Sequence, residues 1–289
     1  MLTLDIWLVS VILFKILIYI SAFMAAGTML YLIVMKPDDA MKRSLCRMSF
    51  IMGLIAMVAT ALNIPLQTGQ MLDAGFKGMF DREMLSLIMG EGLGISSLMR
   101  AIGLIVLITA AFIASMRPFF VVIGAVLVCL SFAYIGHTTQ YNYLVSVVLM
   151  LHLLAISYWM GVLWPLYRLS ASHETRPGAA LVAKRFGTQA LFIVTIVIIS
   201  GLILAVIILG GLQALFTSFY GWILIVKITS VGLLLSVAAL NKLYFVPALF
   251  NADDHATKNL RSSICLEAFV FVFIFVLIAY LTTAINLPS

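Results

Sequence analysis

Apolar residues in this chain gather into runs long enough to cross a bilayer, and the runs recur from one end to the other. Crossing a hydrocarbon core of ~30 Å takes roughly 20 residues in a helix. Eight such spans are predicted, at about 6–34, 47–67, 94–116, 118–137, 141–167, 186–210, 218–246 and 263–286. Turn and charge signals mark most of the breaks: Lys36-Pro37-Asp38-Asp39, Arg117-Pro118, Arg176-Pro177-Gly178, Gly210-Gly211, and Asn251 to Asp254. The longest connection, 68–93, carries Gly69, Gly75, Gly78, Asp81, Arg82 and Glu83, and is expected to hold a short interfacial helix. The predicted fold class is all-α, a polytopic membrane bundle of about eight transmembrane helices. It forms one integral-membrane domain over residues 1–289, with no gap long enough for a soluble one.

Composition strengthens the class. The chain of 289 residues is 64% hydrophobic and only 10% charged, with a mean hydropathy of +1.19. Soluble domains average about 25% charged residues, so this chain lacks the polar surface to stand in water. Its net charge of +6 is read topologically, because Lys and Arg collect on the cytoplasmic side of spans. Lys36, Lys42, Arg43 and Arg47 follow the first span and Arg117 the third. Arg168, Arg176, Lys184 and Arg185 follow the fifth, and Lys242, Lys258 and Arg261 the seventh. The remaining connections are nearly neutral or acidic. Both termini are therefore expected on the periplasmic side, and nothing in the charge points to nucleic acid. The start, MLTLDIW, lacks a basic n-region, and the apolar run after it is long for a cleaved signal. It is expected to remain as a span.

Cys46, Cys129 and Cys265 are scattered, with no CxxC and no pairing logic. There is no P-loop, HExxH or GxSxG, and enzymatic activity is not expected. The chemistry must lie in polar residues placed where they are costly. Ionisable groups within a span default to functional candidates. Here they are Lys15, Arg100, His152, Lys227 and Glu267, with His137 at a span end. Asn63, Gln67 and Asn241 join them. At ~1.5 Å per residue, most of this polarity falls in the outer half, which predicts a site open to the periplasm. His137 sits at the outer surface in IGHTTQ, and His152 lies roughly 15 Å deeper, so a mouth position and a deep position are expected. His152 and Trp159 fall within about 20° on one helix face, with Met160 about 80° round from His152.

Blander roles compete for the same residues. A single intramembrane histidine can simply hydrogen-bond a neighbouring helix, Lys15 can snorkel, and methionine is a common core filler. Of the sixteen methionines, Met99 is the best placed to bind a soft metal.

The run GHTTQYNYLVSVVLMLHLLAISYWMGVLWPL resembles the signature of the copper-resistance D family (CopD/PcoD-like). There, a Gly-His ending one span precedes His-Leu-Leu-Ala-x-x-x-Trp-x-Gly on the next. GWILIVKITSVGLLLSVAALNKLYFVPAL is similar to the family's later segment at Gly221, Lys227, Asn241 and Pro247. Leu266-Glu267 opens the last span as in the family, and Lys15 and Arg100 match its basic positions. The chain departs from many relatives at Ile18, Leu149 and Val162. The resemblance implies a multi-pass protein of the bacterial inner membrane linked to copper tolerance or uptake, working beside a small periplasmic copper-binding partner. It makes His137 and His152 the leading copper ligands, and Lys227, Asn241 and Glu267 shared structural or pathway positions.

Copper transport or tolerance is thus the first expectation, since cuprous ion accepts imidazole and thioether. Against it, each fixed positive charge at roughly 10 Å costs a cation about 1.7 kcal/mol at an effective dielectric of about 20. Two alternatives remain open. One is a redox protein holding haem b, its propionates paired with Lys15, Arg100 and Lys227. The other is a scaffold that recruits the periplasmic copper protein and moves nothing.

Overall fold

The structure, a computed structural model, describes residues 6–72, 75–134, 143–172, 174–209, 213–251 and 255–284. Eight helices among them are long and apolar enough to cross a membrane, as the hydrophobic runs predict, and the described residues contain no strand. In chain order the helices are α1 (Ile6–Met35), α2 (Asp39–Leu72), α3 (Gly75–Gly78), α4 (Arg82–Gly90), α5 (Gly92–Phe112) and α6 (Arg117–Ser131). After a 3-10 turn, Phe132–Tyr134, come α7 (Tyr143–Leu169), α8 (Arg176–Leu209), α9 (Ala214–Thr217) and α10 (Phe219–Leu240). A π-helical turn, Asn241–Phe245, joins α10 to α11 (Val246–Phe250), and α12 (Ala256–Ala284) completes the bundle.

Three helices begin well before their apolar runs: α2 at Asp39, α8 at Arg176 and α12 at Ala256. Apolarity marks where hydrocarbon starts, whereas Lys, Arg and Ala sustain a helix beyond it. The 68–93 connection contains α3 and α4, and Asp81 caps α4 by accepting from the Met84 amide at 2.9 Å. The expected seventh span, 218–246, is interrupted at Asn241, where the chain takes an extra residue into one turn.

The α1 helix is the central post, packed against α2, α5, α6, α7 and α12. Small residues permit this crowding. A methyl on Gly27 of α1 would fall 1.8 Å from the Ser157 carbonyl oxygen of α7, and one on Gly161 would fall 2.1 Å from Gly27's own backbone. These two helices therefore touch backbone to backbone.

The basic residues meet at one end. Arg185 of α8 donates to the Met35 carbonyl at 3.1 Å, Arg168 to the Ser44 hydroxyl, and Arg261 to the Tyr167 hydroxyl at 2.8 Å. Arg117 donates to the Ala110 carbonyl at 2.9 Å. Arg185 and Arg117 thus sit on the last carbonyls of α1 and α5, where a cation suits the helix dipole. We call this the basic end of the bundle.

Candidate functional site

Of the two histidines expected to hold metal, His152 is described and His137 lies outside the described residues. His152 sits nine residues into α7, about 13 Å along it. Its Nδ1 lies 2.8 Å from the Ser200 hydroxyl of α8. That hydroxyl spends its only proton on the Ile196 carbonyl one turn back, so toward the ring it can only accept. The Val197 carbonyl, an acceptor without a proton, faces the same ring. Nδ1 therefore carries the hydrogen of the neutral imidazole, and Nε2 has no hydrogen-bond partner among the described residues. Gly201 completes the cradle: a methyl there would come 3.4 Å from the ring's Cε1. Lys227 of α10 is a cation whose charge acts on the ring, and its ammonium has no hydrogen-bond or ion-pair partner among the described residues.

Lys15 and Arg100 are held elsewhere. Lys15 Nζ donates to the Thr282 carbonyl at 3.0 Å and to the Thr283 hydroxyl at 2.8 Å, tying α1 to the far end of α12. Arg100 donates to Ser96 at 2.9 Å and Ser131 at 3.3 Å, and its guanidinium lies 4.2 Å from the centre of the Phe132 ring. Among the described residues the one salt bridge is Lys42–Asp39, at 3.8 Å; neither buried cation has a carboxylate partner. Both are solvated by hydroxyls, carbonyls and a ring face.

Glu267 of α12 is 3% exposed. Its two oxygens accept from Trp159 Nε1 of α7 at 2.9 Å and from Asn241 Nδ2 at 2.5 Å. Three helices thus meet on one carboxyl, with the π turn beginning at the residue that supplies the third contact. Trp159 and His152 share a stripe of α7 but serve different partners, α12 and α8. Met160 is buried in the core, and Met99 is partly buried on α5.

Asn63 lies on α2 with Thr60 and Gln67, and all three keep a buried polar atom without a partner. Neither of two cavities on the molecule reaches any of these groups. One, of about 120 Å³, is lined by apolar residues of α8, α9 and α10; the other opens at the basic end beside Lys36 and Arg117. Among the described residues these groups form separate clusters rather than one shared site. The reason is energetic: away from water each polar group bonds to the nearest helix partner rather than sharing a void. No group of three or more His, Cys, Asp or Glu side chains suited to a metal occurs among the described residues. Sequence reading passed over Ser200, Gly201, Ser131 and Thr283, since serine, glycine and threonine are ordinary in spans and nothing in their spacing reveals what they face.

Two family models match the chain. One, described as Copper resistance protein D-like, N-terminal domain, matches residues 1–144; the other, described as Copper resistance protein D, matches 180–281. The chain belongs to the copper resistance D family. It is a multi-pass membrane protein. No curated protein and no solved structure matches it. The first matched stretch of this family member holds Lys15, Asn63 and Arg100, and the second holds Ser200, Lys227, Asn241 and Glu267. Nearly all of α7, including His152 and Trp159, lies between them and contacts both, at Gly27 on one side and at Ser200 and Glu267 on the other.

Proposed function

We propose that this protein handles copper in the bacterial inner membrane, taking the ion from the periplasm and holding it through Nε2 of His152. Family membership supports the metal, and the Ser200 contact carries the choice of ligand. A histidine that donates its other N–H to a fixed acceptor is oriented as metal-bound imidazoles are. His137 supplies the outer ligand, near the mouth, and a periplasmic copper-binding protein delivers the ion. A site with few ligands, and Lys227 close by, binds weakly enough to release its cargo. The protein transports or stores the ion and catalyses no reaction. The basic end lies in the cytoplasm, following the distribution of Lys and Arg.

The test is a cuprous-ion titration of the purified protein against a competing chelator, with copper tolerance measured in cells. The parent should bind copper and His152→Ala should lose it. A His137→Ala, His152→Ala double variant that binds as the parent does would overturn the reading. An absorption spectrum of the same sample separates haem from copper, because a Soret band would replace the ion by the macrocycle.

A further inference from the structure

We infer that Glu267 is held un-ionised and serves as a proton-exchange site, reached from the basic end of the bundle by a short hydrated path along α7 and α12. This role is separate from copper binding at His152 and does not rest on it.

A carboxylate inside hydrocarbon needs a cation or a dense shell of donors to offset its lost hydration. Glu267 has two neutral donors, Trp159 and Asn241. The elements packed on its helix are α1, α7, α10, α11 and the π turn, and none turns a cation toward it. Lys15 of α1 is bound to Thr282 and Thr283. Lys227 stands about 21 Å up α10 from Asn241. Lys242 of the π turn lies against Gly187 of α8. Arg168 of α7 is bound to Ser44, and Arg261 of α12 itself is stacked on and bonded to Tyr167. Lys258, also on α12, is exposed, and α11 carries no titratable group. The nearby tyrosines do not face the carboxyl as cations could: Tyr158 donates to Gln189 at 2.6 Å, and Tyr244 is exposed.

Asn241 can partner the acid's proton. Its Oδ1 is buried without a partner. A carboxamide turned by half a revolution exchanges Oδ1 with Nδ2 at the same positions, which sets Oδ1 against Glu267 Oε1. A protonated Glu267 then donates its O–H to Asn241 while Oε2 still accepts from Trp159, and the amide nitrogen takes the place Oδ1 held. The π turn that starts at Asn241, closed by the Val246 amide on the Asn241 carbonyl, is what brings this amide to the carboxyl. Such turns recur at functional positions.

Two further buried hydroxyls lack partners, Ser263 and Ser170. Ser263 is one turn below Glu267 on nearly the same face of α12. Ser170 directly follows α7 in line with the Trp159 stripe, about 16 Å toward the basic end. The Trp159–Glu267 and Tyr167–Arg261 contacts align the two helices, so both hydroxyls border one seam. Buried polar atoms without protein partners are where ordered water sits. Through that water Glu267 releases H⁺ to form carboxylate and hydronium, and regains it by the reverse step.

Infrared spectroscopy of the full chain in lipid nanodiscs tests this. At neutral pH the carbonyl stretch of an un-ionised carboxyl should be present, persist in His152→Ala, vanish in Glu267→Gln and fade as the sample is made alkaline. Ser263→Ala should slow its shift on transfer to D₂O. Trp159→Phe, which removes one donor from the carbonyl, should move the band to higher frequency, and it reads the same group if Glu267→Gln does not fold. No band at neutral pH, or a band unchanged in both Glu267→Gln and Trp159→Phe, would overturn the inference. Loss of copper binding in His152→Ala with the band intact leaves both roles standing and distinct.

Discussion

A neutral imidazole offers one donor and one acceptor, and in a membrane interior both need an assigned use. At His152 the donor is spent on Ser200, whose own proton is already committed to Ile196. This makes Ser200 a positioning residue for the Nε2 lone pair. Removing the acceptor should let the ring turn or change tautomer, and losses of such outer contacts usually weaken metal binding by about 10–100-fold. Ser200→Ala is therefore expected to lower cuprous-ion affinity by roughly that factor in the chelator competition, while His152→Ala abolishes it. Equal losses in the two would make Ser200 a ligand rather than a support. Histidine and glutamate are conspicuous in an apolar run, so both were legible as candidates. Ser200 and Asn241's free oxygen became meaningful only once their neighbours were known.

At the scale of elements, α7 decides most of the arrangement. One face presses on α1 through Gly27 and Gly161, with backbone atoms in contact. The other carries His152 to α8 and Trp159 to α12. In lipid no hydrophobic force drives helices together, so close approach of small residues and interhelical hydrogen bonds must do so. A methyl at Gly27 cannot be absorbed by a rotamer change, because it meets main chain. Gly27→Ala should cost about 1–3 kcal/mol, the usual cost of overpacking. Its expected signature is a lowered thermal midpoint in detergent with weakened cuprous-ion binding. A variant with an unchanged midpoint would mean that α1 and α7 stand further apart than described here. The π turn belongs to this scale too. A run of apolar residues through Asn241 reads as one straight helix, and hydrophobicity carries no trace of the extra residue in the turn.

For the whole molecule, the basic residues of three connections converge on one end and bind helix carbonyls and hydroxyls there. On the proposed orientation, which follows the positive-inside tendency, that end faces the cytoplasm. Ser172, exposed in the connection after α7, provides a probe. Ser172→Cys, in a background with Cys46, Cys129 and Cys265 replaced, should react with a membrane-impermeant thiol reagent only after the inner membrane is opened. Labelling in intact spheroplasts would invert the orientation and put the His152 half of the bundle inside the cell.

The class, the eight helices and the list of costly polar residues followed from the sequence, since each depends on how residues partition between water and hydrocarbon. That is a local property, read one residue or one run at a time. Which polar group meets which depends on helix rotation, on close approach at glycines and on a single inserted residue at Asn241, and partitioning is blind to all three. The chain therefore announced His152, Arg100 and Glu267 but predicted one shared cavity for them. Only the packed bundle separated an imidazole set on α8, a guanidinium solvated by serines and a carboxyl closed in by three helices, because in a low dielectric the nearest partner wins.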